Sequence, residues 1–307
     1  MRDDFCAFIV TYGRPDNVKT LRALKGSGYT GKVFLVVDDA DKTLPDYQAR
    51  YPDQVLVFSR DDIATRSRGS FRQEVGRYVG SGEFDVGDNL GTRGKPAAVF
   101  ARNALWGLAR EVGCQFFVEL DDDYSNFSFR LTGANTGEHH GWTIRSLDRV
   151  FTAMVNFIER TGCATLAMSQ GGDHMGVAGE VQLRHRDYRK GQARKAMNSF
   201  VCDVRHPWEF RGRMNEDVNS YVSLGNVGEL FFTYFGLQLV QGITQQHPGG
   251  LTPLYLDSGT YWKSFYTVLW APSCVRITMG GAMRRPHHQI NWNAAVPKIV
   301  HERHRRT

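Results

Sequence analysis

The sequence predicts an α/β domain: a mixed sheet flanked by helices, with an elaborated C-terminal portion. Three observations carry that reading. Buried-strand runs alternate with helical patterns through the first half of the chain. The second half mixes the two without that regularity. The 307 residues are 41% hydrophobic and 23% charged, an ordinary globular balance that excludes disordered, collagenous and coiled-coil classes. A chain this long buries about three quarters of its unfolded surface and needs no staples to fold. It reads as one domain over residues 1–307, with residues 1–125 and 126–307 as its two halves.

The elements follow in order. FCAFIVTY, residues 5–12, is a continuous apolar β-type run, as expected of a strand buried on both faces. Val18, Leu21 and Leu24 are spaced three apart in a short helix that Gly26 and Gly28 stop. KVFLVVDDAD, residues 32–41, is a second buried strand ending in acids, which completes a βαβ unit expected to be right-handed. Residues 54–58 predict a third strand. Residues 59–93 are polar and glycine-rich and read as a long surface excursion of the kind that forms lids and binding loops. Pro96 then opens an alanine- and leucine-rich helix, and residues 114–120 form a strand ending in three aspartates. Further on come an amphipathic helix with a Ser146 cap, a strand at CATLAMS, residues 163–169, and a glycine-rich SQGGDHMG loop. A helical turn or two followed by a strand is expected over 216–232. TVLWAPSCVRITM, residues 267–279, is strand-like with a proline interruption.

Five scattered cysteines without CxxC spacing argue against a disulfide framework and a zinc ribbon, and are expected as small buried hydrophobes. No stretch approaches the ~18 apolar residues of a membrane span. The N-terminus carries acids where a signal peptide needs positive charge, so the expectation is a cytoplasmic protein without a membrane partner. The formal net charge is +6. Residues 184–195, RHRDYRKGQARK, hold six Arg or Lys and one acid, and HERHRRT closes the chain. Such runs are either solvated faces or polyanion contacts.

The sharpest chemical feature is FVELDDDY, residues 117–124. Ligands of open α/β sheets bind beyond the carboxyl ends of the strands. Three adjacent carboxylates at such an end repel one another unless a cation compensates. Hard divalent cations prefer carboxylate oxygens and bridge them to substrate phosphates. In an extended stretch Asp121 and Asp123 point the same way and Asp122 the other. That arrangement predicts Asp121 and Asp123 as metal ligands and leaves Asp122 for another role. The bland alternative is a solvated loop capping a helix.

A first strand ending TYGRP, a second ending VVDDAD, the helix GKPAAVFARNALWGLA and a strand ending ELDDDY together resemble the GT-A fold glycosyltransferases over residues 5–125. The resemblance implies a GT-A type, Rossmann-like mixed sheet, a nucleotide-sugar donor such as a UDP-sugar, and a Mn²⁺ or Mg²⁺ ion on a DxD-type motif. SQGGDHMG, FRGRMNEDVNSYVSLGNVG, LDSGTYWKSFYT and RRPHHQINWNAAVPKIV extend it, over about residues 5–300, to the TET/JBP-associated glycosyltransferases. These are encoded mainly by phages, which would put the enzyme in the host cytoplasm. The implied acceptor is a hydroxymethylated pyrimidine in DNA, such as 5-hydroxymethylcytosine.

By that resemblance Thr11, Tyr12 and Arg14 line the nucleotide pocket, where Tyr12 could stack on a base and Arg14 pair with phosphate; the alternative is turn chemistry around Pro15. Asp38 and Asp39 would hold the base or ribose. Asp122 joins this donor-binding set. Arg93 and Lys95, among glycines before a helix, would approach the diphosphate. Arg102 and Asn103 could touch donor hydroxyls or cross-brace the sheet. Transfer with inversion needs a carboxylate base, and Asp217 occupies the usual base position, with Glu216 as its partner. His287 and His288 could complete the metal site, one neutral imidazole sufficing, or bind phosphate beside Arg284 and Arg285. Asp173 and His174 are expected to face acceptor or donor sugar. Arg189, Lys190, Arg194 and Lys195 are candidates for DNA phosphates. Three other readings stay open: the same fold acting on a protein, glycan or small molecule; a nucleotidyltransferase; and a non-catalytic binding protein, against which the intact acidic motifs speak.

Overall fold

The computed structural model describes residues 1–63, 97–132, 139–170, 196, 199–241, 263–280, 285–295 and 299–304. The apolar runs near the N-terminus become β1 (Phe5–Val10), β2 (Lys32–Asp38) and β3 (Val55–Phe58), with α1 (Lys19–Gly26) and α2 (Leu44–Arg50) between them. Gly28, at φ +78°, lets the chain leave α1 close to residue 145, where a Cβ would stand 2.3 Å from the Arg145 carbonyl. Then follow α3 (Ala98–Glu111), β4 (Phe116–Asp121), β5 (Tyr124–Thr132), β6 (His139–Thr143), α4 (Leu147–Thr161) and β7 (Thr165–Ser169). The last described part holds β8 (Val201–Asp203), α5 (Glu216–Gly225), β9 (Phe231–Gln241), β10 (Val275–Gly280), β11 (Arg285–Ile290) and α6 (Trp292–Ala295).

Nine strands form one mixed sheet in the order β3-β2-β1-β4-β8-β7-β9-β5-β6, and β10 and β11 form a separate antiparallel ribbon. The β3-β2-β1-β4 section is parallel. The chain leaves β1 toward β2 on one side and returns as β4 on the other, so the carboxyl ends of β1 and β4 flank the switch point. Alternation along β1 and β4 distributes the core. Phe5, Ala7, Ile9, Phe116, Val118 and Leu120 face α1 and α4. Cys6, Phe8 and Phe117 face α3 and α5, and Glu119 and Asp121 follow Phe117 on that side.

Two residues join β4 to β5, yet four pairings separate them across the sheet. Flat strands would lie about 19 Å apart, whereas the link spans at most ~11 Å. The sheet must therefore curl, bringing the end of β9 back to the β4–β5 turn; Tyr124 pairs with Gln241 there.

Several elements differ from expectation. Residues 263–270 are helical, not strand, because Tyr266 and Thr267 are fully buried and packing overrides their β-type composition. The second part of that segment is strand β10. Ser146 sits at the N-cap of α4 without a side-chain capping bond; its carbonyl accepts the Arg149 amide instead. The structure also contains α2, β5, β6 and β8, which the apolar pattern does not announce. Of the polar excursion, residues 60–63 are helical and 64–96 lie outside the described residues. All five cysteines are free and buried. Among the described residues no helix is long and apolar enough to cross a membrane.

Candidate functional site

The three aspartates diverge at the β4–β5 turn. Asp121 ends β4 on the α3 side, with its side chain 27% exposed. Asp122 turns to the α1 side, accepting from the Thr11 hydroxyl at 2.7 Å and the Arg14 guanidinium at 2.9 Å. Asp123 accepts from Gln241 Nε2 at 3.0 Å. Thr20 fixes the turn from below: its hydroxyl donates to the Asp121 carbonyl at 2.6 Å and accepts the Tyr124 amide at 3.0 Å. Burial pushes the Asp122 carboxyl up to about 6, against the opposing pull of Arg14 and Thr11. Burial, then the charge of Asp121, also raises Asp123. The turn is short of positive charge.

Arg102 projects from α3 into the sheet and is fully buried. Its Nε donates to Glu119 at 3.0 Å, one terminal nitrogen to Glu216 at 2.6 Å and the other to Asp121 at 3.1 Å. One guanidinium thus faces three carboxylates from β4 and the start of α5. Burying that excess of negative charge drives protons onto the cluster: burial pushes Glu119 up to about 8 and Glu216 to about 7. Arg102 therefore braces the structure, the second of the two roles the sequence left open. Asn103 does likewise, donating to and accepting from the Phe210 backbone.

Glu216 and Asp217 open α5, preceded by Asn215 in the left-handed region at φ +53°. The Asn215 amide anchors that corner to the 263–270 helix, donating to the Lys263 carbonyl at 2.6 Å and the Thr267 hydroxyl at 3.0 Å. Asp217 Oδ1 accepts the Val218 amide at 2.8 Å. Burial raises its carboxyl, opposed by the charges of Arg102 and Lys263. Glu216 is locked onto Arg102, while Asp217 is the more accessible of the two.

Beyond the end of β1, Thr11 and the backbone of Arg14 are tied to the buried Tyr47 hydroxyl, at 2.7 and 2.8 Å. Tyr12 is half-buried and Asp39 exposed. Asp38 is buried, accepting from Arg60 at 2.6 Å and from the Ala40 amide.

His287 and His288 lie on β11, with rings stacked at 4.6 Å. Burial lowers His288 to about 4, so its imidazole is neutral near pH 7, and its buried Nδ1 has no hydrogen-bond partner. Among the described residues no three His, Cys, Asp or Glu side chains converge as a metal cage. Of the four expected ligands, Asp121 and Asp123 flank the end of β4 and His287 and His288 lie on the β10–β11 ribbon, and they do not converge as one cage. The expected residues Arg93, Lys95, Asp173, His174, Arg189, Lys190, Arg194 and Lys195 lie outside the described residues.

Glu119, Tyr47, Arg60, Lys263 and Gln241 went unnoticed in the sequence. Only Glu119 carried a signal: an acid inside an otherwise apolar strand needs a buried cation.

No curated protein matches the sequence. Among solved structures, the chain is similar to the mannosyltransferase PcManGT from Pyrobaculum calidifontis in complex with GDP-Man and Mn²⁺, at 10% identity, over 89% of this chain and 73% of that one, with a TM-score of 0.43. It is similar to glucosyl-3-phosphoglycerate synthase from Mycobacterium tuberculosis in complex with Mg²⁺ and UDP, at 12% identity over 94% and 87%, with a TM-score of 0.40. S. aureus TarS 1–349 in complex with UDP matches at 10% identity over 77% and 60%, with a TM-score of 0.38. The model of the TET-Associated Glycosyltransferase family matches residues 5–250. That span takes in most of the chain, from β1 through the aspartate turn and the acidic start of α5 to β9. The chain belongs to the TET-associated glycosyltransferases, and it is an enzyme of sugar transfer.

Proposed function

We propose that this glycosyltransferase moves a sugar from a nucleoside-diphosphate sugar, first a UDP-sugar, to the hydroxymethyl oxygen of a 5-hydroxymethylpyrimidine in DNA, with inversion. One observation carries the reading. Arg102 pins Asp121, at the strand end where a donor diphosphate belongs, to the helix start that bears Glu216 and Asp217. Donor-side and base-side carboxylates therefore share one rigid brace.

A divalent cation, Mn²⁺ or Mg²⁺, would neutralise charge on the departing diphosphate. Asp121 and Asp123 would hold it, because their carboxylate oxygens are hard ligands at the strand end. His287 and His288, which do not converge with these aspartates, take no part in this reading. Thr11, Tyr12, Arg14, Asp38 and Asp39 bind the nucleotide in this reading, and Asp122 positions Thr11 and Arg14. Arg93 and Lys95 serve the diphosphate. Asp173, His174 and the basic run from Arg189 to Lys195 serve the acceptor.

Asp217 acts as the base. It takes the proton of the acceptor hydroxyl, the oxygen forms its bond to the anomeric carbon, and the bond from that carbon to the diphosphate oxygen breaks. Glu216, held by Arg102, orients the start of α5.

The test is transfer to DNA containing hydroxymethylcytosine or hydroxymethyluracil, with Mn²⁺ and a panel of sugar nucleotides, read by mass spectrometry of digested nucleosides. A hexose-sized gain on the modified base, lost with Asp123→Ala or without metal, is the expected result. Metal-dependent release of nucleoside diphosphate with no gain on DNA would remove the DNA acceptor and leave sugar transfer to another hydroxyl.

A further inference from the structure

A cavity of about 430 Å³ opens between α1 and the β5–β6 hairpin, outside the site described above. Lys19, Arg22 and Arg145 line it, with Ser125, Asn126 and Thr143, and no acid is among its lining residues. Lys19 and Arg22 stand three apart on α1 and so share a face. Neither side chain has an ion-pair or hydrogen-bond partner among the described residues. Arg145 donates to the Gly26 carbonyl at 3.0 Å, which draws it over the end of α1. Helix stability does not explain this placement. Lys19 is the first residue of α1, where the helix dipole disfavours a cation, and no acid sits in that turn to offset it. Three like charges around one space repel; an anion between them removes the repulsion. Thr143 Oγ1 accepts from Asn126 at 3.0 Å, which leaves its own O–H free to donate to such an anion.

The cavity adjoins the aspartate turn. Thr20, next to Lys19, holds that turn through the Asp121 carbonyl and the Tyr124 amide. Ser125 follows the turn directly. Arg22, Ser125, Thr143 and Arg145 are exposed, so the space is open, as suits a polymer passing over it.

We propose that this cavity binds a phosphodiester of the acceptor DNA, close to the nucleotide whose base enters the site. The proposal rests on the DNA reading above. Lys19, Arg22 and Arg145 are then acceptor-binding residues, supplementing the 184–195 run.

Lys19→Gln, Arg22→Gln and Arg145→Gln, singly and combined, test it. All three sites are at the surface, and circular dichroism checks the fold of each variant. Binding of a hydroxymethylcytosine duplex is measured against salt, and transfer kinetics against DNA and donor separately. The combined variant should bind DNA about tenfold more weakly. Its slope of log affinity against log salt should be shallower by about 0.9 for each phosphate that it leaves unneutralised. KM for DNA should rise while KM for the donor holds. If the wild type modifies DNA and the combined variant keeps its affinity and slope, the cavity proposal fails alone. A rise in donor KM with DNA affinity unchanged would assign the cavity to the donor and overturn it. If the wild type neither binds nor modifies DNA, the DNA reading fails and the cavity proposal falls with it.

Discussion

Arg102 is the residue on which most of the candidate site depends. Its guanidinium is buried against Glu119, Glu216 and Asp121. Removing one side of a buried ion pair strands the other. Arg102→Met should therefore destabilise the protein by about 3–5 kcal/mol in urea unfolding. Arg102→Lys should recover little, because an ammonium cannot present three donors in a planar fork. Asp217→Asn removes the proposed base without moving the brace. Its kcat should fall by roughly 10²–10⁴, with donor affinity retained in direct binding. The Asp217 carboxyl is raised by burial, so the acid limb of kcat/KM should descend through a pKa above the ordinary 3.8 of aspartate as pH falls. At this scale the sequence was partly legible. Strand alternation separated Asp122 from its neighbours in kind, although the structure does it by a turn. The partners of each acid were not legible, because Arg102, Gln241 and Lys263 come from segments remote in the chain.

The start of α5 is an element shaped by one residue. Asn215 adopts φ +53° and ties the helix start to the 263–270 helix through two hydrogen bonds. Asn215→Ala keeps neither the ease of the left-handed region nor the tie. It should lower stability by about 1–3 kcal/mol and lower kcat as the Asp217 corner loosens. Asn215→Gly restores the backbone freedom alone, and its stability should lie between the two. Elements with strong apolar runs or helical periodicity were legible: β1, α1, β2, β3, α3, β4, α4, β7, α5 and the start of β9. β5 was hidden by its polar residues, YSNFSFRLT, and β8 by its length of three. The 263–270 helix was hidden by aromatic and β-branched residues that pack rather than pair.

At the scale of the whole molecule, burial among the described residues pushes Glu119 up to about 8, Glu216 to about 7 and Asp122 to about 6, and raises Asp38, Asp123 and Asp217 as well. The first two share Arg102, so their titration belongs to the cluster. Between about pH 4 and pH 8 these acids bind more protons in the folded state than in the unfolded chain, and the lowered His288 opposes only part of that. Stability should therefore be greatest at the acid end of that window and decline as pH rises through it. Calorimetry of the metal-free protein from pH 5 to pH 8 should show the unfolding temperature dropping by a few degrees. The α/β class was readable from alternation alone, but the strand order beyond β4 was not, since nothing local records which distant strands meet.

The curl between β4 and β5 has a kinetic consequence. β1, β2, β3 and one edge of β4 pair within the first part of the chain, while the other edge of β4 pairs with β8. β5 follows β4 after two residues and pairs locally with β6 on one edge, yet its other partner, β9, lies roughly a hundred residues downstream. During refolding the β9 side of the aspartate turn, where Tyr124 meets Gln241, therefore waits until residues 231–241 arrive. Pulsed hydrogen exchange should show β1 and β4 amides protected before those of β5 and β9. The β9 edge of the aspartate turn would be among the last parts of the molecule to take its final form.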